Sequence, residues 1–197
     1  MDDRPSLVLA TRNPHKVAEF RRLLGPLGIA IEQLRDGIEL PAEDGNTFAE
    51  NAMPKALAAA GSTGRPAIAD DSGIEAEALG GAPGVRSARF AGPGASDEEN
   101  LRKLVREVPA GSGLRYVCAL AYADPTGPRE QLFFGGCRGR LAEHRRGTRG
   151  FGYDPVFLPD EDVRHRTMAE LSDSEKDAIS HRGHATRALA DWLGRRP

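Results

Sequence analysis

The chain has 197 residues, of which 39% are hydrophobic and 28% charged, and this length can bury a core without disulfide bridges. The formal net charge of -2 provides no global basic field, so we expect no binding to nucleic acid polymers. No apolar run approaches the roughly 20 residues of a membrane span, and the lack of secretory-signal features, with only two cysteines, predicts a cytoplasmic protein that does not contact membranes.

The predicted elements alternate between strands and helices. In chain order they are a strand at 6–10, a helix at 14–24, a strand at 29–34, a helix at 47–60, a strand at 67–69, a loop at 80–95, a helix at 96–108, a hairpin at 114–141 and a helix at 173–194. Pro54 should kink the second helix or shift its start, and Leu101, Leu104, Val105 and Val108 should form the buried stripe of the third. This order predicts one α/β domain, residues 1–197, with a mixed sheet.

The stretch TRNPHK, residues 11–16, lies between the first strand and the first helix. Asn13 is a favourable N-cap, and Pro14 suits the first helical position. Free N–H groups in the first turn, with Lys16 one turn further, would form an anion site. An ordinary helix start with a solvated lysine has the same residues, and the spacing of a Walker A loop is absent, so the stretch alone does not decide between them.

Two adjacent aspartates, Asp70 and Asp71, follow the predicted strand at 67–69. Paired carboxylates at a strand end cost desolvation and mutual repulsion unless a cation compensates them. Mg²⁺ takes one or two carboxylates, with waters and substrate phosphates completing its shell, and Glu43 in a nearby loop could be the second ligand. A strand exit with an Asx-type turn explains the same residues, and adjacency does not tell which aspartate does what.

The stretch GFGYDP, residues 150–155, predicts a tight loop that presents an aromatic face and a carboxylate together. Phe151 or Tyr153 could stack on a base, and Asp154 could accept its ring N–H. An ordinary turn whose aromatic rings face the core is the alternative.

The stretch SEKDAISHRGHA, residues 174–185, adds possible hydrogen-bond donors at Lys176, His181 and Arg182, around a helix break expected at Gly183. An exposed charged helical face is the alternative. The sequence shows no Ser-His-Asp arrangement and no zinc-ligand spacing, so it does not favour covalent acyl transfer or zinc chemistry.

Together these stretches resemble the inosine triphosphate pyrophosphatase family over almost the whole chain. The matching segments, in chain order, are LATRNPHKVAEF, EDGNTFAENAMPKA, AIADDSGIEAEALGGAPGVRSARFAG, GFGYDPVF and EKDAISHRG. The resemblance implies an elongated α/β fold, in which a mixed sheet flanked by helices forms two lobes around a substrate cleft, and a homodimer. It also implies Mg²⁺-dependent hydrolysis of dITP, ITP, XTP or dXTP to the monophosphate and pyrophosphate, which removes deaminated purines from the nucleotide pool.

The resemblance further implies a role for each motif residue. Asp71 would be general base and metal ligand, with Glu43 as the other metal contact and Ser72 touching the substrate. The residues implied to hold the triphosphate are Thr11, Arg12, Asn13, Pro14, His15 and Lys16. The residues implied to bind the purine are Phe151, Gly152, Tyr153, Asp154, Lys176, His181 and Arg182. Arg12 stands where relatives often have a small residue, so it either adds phosphate affinity or points to solvent.

Two other functions remain open at this stage. A pyrophosphatase of the Maf type would act on modified pyrimidine nucleotides, but a pyrimidine is too small to need both GFGYDP and SHRG. A nucleotide-sensing module would hold a triphosphate without turnover, and the presence of both aspartates disfavours it. Turnover of an Asp71→Asn variant separates an enzyme from a sensor.

Overall fold

The computed structural model describes residues 5–127 and 129–194, which contain a six-stranded sheet. The strands are β1 Ser6–Leu9, β2 Ala30–Gln33, β3 Ala67–Ala76, β4 Gly113–Asp124, β5 Arg129–Leu141 and β6 Phe157–Pro159. Their order is β2-β1-β3-β4-β5-β6; β1 is parallel to β2 and β3, whereas β5 and β6 are antiparallel. The predicted α/β class with a mixed sheet is therefore confirmed. Pro128, in the turn of the predicted hairpin, lies outside the described residues.

The helices largely begin where capping residues predicted them. They are α1 Pro14–Leu24, α2 Phe48–Thr63, α3 Asp97–Glu107, α4 Asp173–Ile179 and α5 His181–Gly194. Asn13 caps α1 and Ser96 caps α3. Pro54 lies inside α2 without shifting its start, because Thr47 caps that helix. Among the described helices, none is both long and apolar enough to cross a membrane.

Three predicted boundaries are wrong. The strand expected to stop before Asp70 continues through Asp71 to Ala76, although aspartate disfavours strands, because partners distant in sequence stabilise both carboxylates. The predicted loop at 80–95 contains the 3-10 helix Gly84–Arg89. The last predicted helix is interrupted at Ser180 and not at Gly183, which lies inside α5; the extended backbone of Ser180 ends α4, and its side chain is buried.

Contacts divide the chain into two compact units. Unit 1 comprises the chain up to Asp71, from Cys118 to Gly135 and from Arg182 onward, and unit 2 comprises 72–117 and 136–181. The core of unit 1 includes Leu7, Leu9, Val17, Phe20, Leu24, Ile68, Leu120, Tyr122 and Leu189. The core of unit 2 includes Ile74, Leu101, Leu104, Val108, Tyr116, Tyr153, Phe157 and Leu171. Val105, expected in the buried stripe of α3, is 43% exposed.

Candidate active site

The turn from β1 into α1 holds the first predicted site residues. Asn13 Oδ1 accepts hydrogen bonds from the backbone N–H groups of His15 at 2.9 Å and Lys16 at 3.3 Å, and Thr11 Oγ1 accepts from the Asn13 N–H at 3.2 Å. The expectation of free N–H groups in this turn is therefore wrong, because the capping side chain uses two of them. Pro14 has no N–H, so the Lys16 side chain carries most of the capacity of this turn to bind an anion.

Asp70 is fully buried in β3 and lies in a network of ion pairs within unit 1. Lys16 Nζ is 3.0 Å from Asp70 Oδ1, Arg182 Nε is 3.1 Å from Asp70 Oδ2, and Lys55 Nζ donates to the Asp70 carbonyl oxygen at 2.7 Å. Burial opposes ionisation, but the charges of Lys16, Arg182 and Lys55 outweigh it and hold the pKa of Asp70 well below its usual range. Arg182 Nη1 also donates to Glu19 at 3.0 Å. The cations therefore stabilise the ionised form of Asp70, and Asp70 in turn holds them in place.

Asp71, the next residue of β3, has a different environment. Adjacent residues of a strand project to opposite faces of the sheet, and Asp71 Oδ2 accepts a hydrogen bond from Asn51 Nδ2 of α2 at 2.8 Å. Burial raises the pKa of Asp71, and the nearby charge of Glu43 adds to this effect against the hydrogen bond from Asn51. A carboxylate with a raised pKa is a stronger proton acceptor, so the two aspartates are suited to different roles.

The two carboxylates predicted to bind a metal are Asp71 and Glu43. Glu43 lies in the irregular segment before α2 and forms an ion pair with Lys55. In residues 5–127 and 129–194, no three or more His, Cys, Asp or Glu side chains are grouped to hold a metal ion. Two carboxylates are nevertheless the number that Mg²⁺ takes when waters and substrate phosphates supply its other oxygen ligands. The donor set therefore fits Mg²⁺.

The loop at 150–154, in unit 2, is organised around Asp154. This buried carboxylate accepts hydrogen bonds from Tyr116 Oη at 3.1 Å, the Phe151 N–H at 3.0 Å and Lys176 Nζ at 2.6 Å. Lys176 Nζ also lies 5.2 Å from the centre of the Phe151 ring, in a cation–π arrangement. Gly150 has φ +73°, and a Cβ atom there would come within 2.0 Å of Asp154 Oδ2. Glycine is therefore required for the carboxylate to close the loop.

Tyr153 and His181 are buried in unit 2. The Tyr153 hydroxyl donates to the Ser87 carbonyl oxygen at 2.7 Å and its ring belongs to the core, so Phe151, which is only partly buried, is the ring available for stacking. His181 stacks on Tyr116, with ring centres 4.7 Å apart and planes 9° from parallel. The core-facing alternative is thus correct for Tyr153, and the exposed-face alternative is wrong for His181.

The structure distributes the predicted site residues over both units. Unit 1 contains Thr11, Arg12, Asn13, Pro14, His15, Lys16, Glu43, Asp71 and Arg182, and unit 2 contains Ser72, Phe151, Gly152, Tyr153, Asp154, Lys176 and His181. Arg182, predicted to bind the purine, uses Nε and Nη1 for Asp70 and Glu19. Arg12 does not point free into solvent, because its guanidinium donates to backbone carbonyl oxygens.

Sequence reasoning missed Asn51, Lys55, Glu19 and Tyr116. A signal for Lys55 was available, because only four of the 27 Lys and Arg residues are lysines. These lysines are Lys16, Lys55, Lys103 and Lys176. Three of the four form ion pairs with carboxylates of the candidate site, and Lys103 donates to the Phe90 carbonyl oxygen. Most positive charges of this chain are arginines, so the rarity of lysine was a signal that each lysine could have a specific role.

The fold and these residues define an α/β protein with paired acidic and lysine side chains suited to a phosphorylated ligand and a divalent cation. The chain belongs to the Ham1 family, whose model matches residues 7–192. It is 51% identical to a dITP/XTP pyrophosphatase of Symbiobacterium thermophilum over 97% of this chain and 94% of the relative, and 48% identical to one of Frankia alni over 95% and 96%. The structure of a HAM1 protein from Coxiella burnetii matches with a TM-score of 0.84 and 39% identity, covering 98% of this chain and all of that one. The resemblance noted in the sequence is therefore confirmed.

Proposed function

We propose that this protein is a nucleoside triphosphate pyrophosphatase, which hydrolyses dITP, ITP, XTP and dXTP to the monophosphate and pyrophosphate with Mg²⁺. The observation that carries the proposal is the adjacent pair Asp70 and Asp71, of which Asp70 is enclosed by Lys16 and Arg182 and Asp71 accepts a hydrogen bond from the neutral amide of Asn51. The names of relatives at 51% and 48% identity support the reaction and the substrate class. Such an enzyme keeps deaminated purines out of the nucleotide pool.

Phosphoryl transfer needs neutralised charge and in-line positioning more than covalent help. Mg²⁺ held by Asp71 and Glu43 would neutralise phosphate charge when bound. Asp71 takes the proton of the attacking water, because the Asp70 carboxylate is committed to Lys16 and Arg182 whereas Asp71 contacts the neutral amide of Asn51. Asn51 fixes the orientation of the Asp71 carboxylate. Lys16, kept in place by Asp70, supplies a positive charge toward the phosphates.

The loop at 150–154 and the start of α5 select the base. Phe151 offers a ring for stacking, with Lys176 and Asp154 fixing its position. A ring N–H donor on His181 pairs with the 6-oxo group of hypoxanthine or xanthine. Adenine carries a 6-amino donor at this position, so binding it would bury an unpaired group. The main role of Arg182 is to hold Asp70, since two of its donors already bind Asp70 and Glu19.

The experiment that tests this function compares pyrophosphate release from ITP, XTP, GTP and ATP, each with Mg²⁺ and with EDTA. We expect Mg²⁺-dependent release from ITP and XTP and slow release from GTP and ATP. ATP turnover as fast as ITP turnover would contradict the assignment of the residues that recognise the purine. Tight binding of ITP without any release would support a sensor, and release only from added modified pyrimidine triphosphates would support the Maf-type activity.

We also propose that the enzyme works in the cytoplasm as a homodimer, and that each chain has a substrate cleft between its two lobes. Support for the compartment comes from Cys118 and Cys137, which are both buried and unbridged, as expected in reducing surroundings. Support for the dimer is the family resemblance. Light scattering coupled to size-exclusion chromatography would give the mass directly, and a mass close to the 21.2 kDa of one chain would contradict the dimer.

A further inference from the structure

Arg12 is held by a short segment that follows β2. Its Nη1 lies 3.4 Å from the carbonyl oxygen of Leu34 and 3.4 Å from Asp36 Oδ1, and its Nη2 donates to the carbonyl oxygens of Arg35 at 3.1 Å and Ile38 at 3.0 Å. Four acceptors from five consecutive residues therefore surround one guanidinium group.

The chemistry of this contact suits a cation and opposes a phosphate. Carbonyl oxygens and a carboxylate are acceptors only, and the planar guanidinium fork can satisfy several of them at once. Gly37 has φ +83°, which lets the turn at 36–37 bend so that the carbonyl groups on either side converge on Arg12. Arg12 could reach a phosphate with these two nitrogens only by giving up the contacts.

The contacted segment leads directly to Glu43. Residues 34–47 contain no helix or strand, and loops of this length are often functional. At the far end of this segment, the Gly45 N–H donates to Asn51 Oδ1 at 2.8 Å and the Asn46 N–H donates to Glu50 Oε2 at 2.8 Å. Glu43, which itself pairs with Lys55 of α2, therefore lies between these anchors provided by α2 and another provided by Arg12.

We propose that Arg12 is a positioning residue, which pins the start of the 34–47 segment beside α1 and so keeps Glu43 near Asp71, and that it is not a ligand of the triphosphate. Asn51 of α2 also helps to keep Glu43 near Asp71, because it contacts both the Gly45 N–H and Asp71. The part of this inference that concerns the metal rests on the proposed function. The part that concerns the segment does not.

Hydrogen–deuterium exchange of the protein without substrate or metal tests the anchoring. We expect amides at 39–46 to exchange about tenfold faster in Arg12→Gln, because the anchoring hydrogen bonds are lost. Gly37→Ala should give the same local change, since it strains the turn without altering Arg12. Arg21→Gln, which removes an exposed arginine from α1, should change nothing at 39–46. Unchanged exchange at 39–46 in both Arg12→Gln and Gly37→Ala would overturn the proposal.

A kinetic measurement separates the two roles of Arg12. If it positions Glu43, Arg12→Gln and Gly37→Ala should both raise the Mg²⁺ concentration for half-maximal activity about tenfold and leave KM for ITP at saturating Mg²⁺ unchanged. A higher KM at saturating Mg²⁺ that Arg12→Lys restores, with normal KM in Gly37→Ala, would identify a phosphate ligand and overturn the proposal. If no triphosphate is hydrolysed, the proposed function fails, and the exchange experiment still decides the role of Arg12.

Discussion

Each unit of the molecule contains a buried aspartate paired with a lysine, and the two pairs have different surroundings. In unit 1, Asp70 lies 3.0 Å from Lys16 and also contacts Arg182. In unit 2, Asp154 lies 2.6 Å from Lys176, but its other donors are a tyrosine hydroxyl and a backbone N–H. The first pair holds charge next to Asp71, the proposed general base, and the second fixes the shape of a loop. Under the proposed function, the same kind of ion pair would serve catalysis in one unit and recognition in the other.

The largest effect should come from Asp71→Asn, which removes the proposed general base and leaves the Asp70 network intact. We expect kcat for ITP to fall by about 10⁴-fold, the upper range for loss of a general base. Stability should not fall, because a neutral amide avoids the cost of a buried charge. Pyrophosphate release and urea unfolding measure the two effects, with exposed Asp44→Asn as a control. A loss of activity below about tenfold would assign the base to another residue.

Asp70→Asn should have its main effect on folding. Lys16 and Arg182 would lose the carboxylate that neutralises them, and breaking a buried ion pair costs about 3–5 kcal/mol. The free energy of unfolding from urea titration measures the loss. A variant as stable as the wild type would show that Asp70 does not hold these cations.

Asp154→Asn should destabilise the protein less than Asp70→Asn, by about 2 kcal/mol, because only Lys176 loses its counter-charge and an amide oxygen can still accept from Tyr116. The altered loop should raise KM for ITP more than it lowers kcat. Steady-state kinetics and urea unfolding check both statements. An unchanged KM with reduced kcat would contradict a recognition role for the Asp154–Lys176 pair.

The smallest effect should be on the pH dependence of stability, to which the two adjacent aspartates contribute with opposite sign. The folded pKa of Asp70 is lowered, so its stabilising contribution is present above its ordinary value of 3.8 and is lost as the pH falls through the folded value. The folded pKa of Asp71 is raised, so its contribution becomes unfavourable as the pH rises from 3.8 through the folded value. The stability of Asp71→Asn relative to the wild type should therefore increase over the pH range from about 4 to the folded pKa of Asp71. A constant difference across this range would contradict the raised pKa.

Local signals in the sequence predicted the parts of the site that depend on neighbouring residues. Asn13 and Pro14 start α1 because capping and a fixed proline φ act within one turn. The glycines around Phe151 likewise indicated a tight loop, and Asp154 does close it. The sheet class followed from alternating apolar patterns.

Contacts between distant residues decided the rest. β3 extends through Asp70 because Arg182, 112 residues further along the chain, pairs with that aspartate, and no local pattern contains this information. The capping role of Asn13 was predicted and already implied that its side chain would occupy the first N–H groups of α1, so the expectation of free N–H groups did not follow from it. Arg12 also required the structure, because its acceptors are carbonyl oxygens, which every residue possesses.

The four lysines also determine how the protein should respond to amine-reactive reagents. Lys55 and Lys176 are buried, Lys16 and Lys103 are partly buried, and each ammonium group is engaged by an oxygen atom. An acylating label therefore finds no freely exposed lysine on the surface. Its rate of incorporation, resolved by peptide mass spectrometry, would report how often each unit opens, so the protein carries its own probes at Lys16 and Lys176 without any engineered tag.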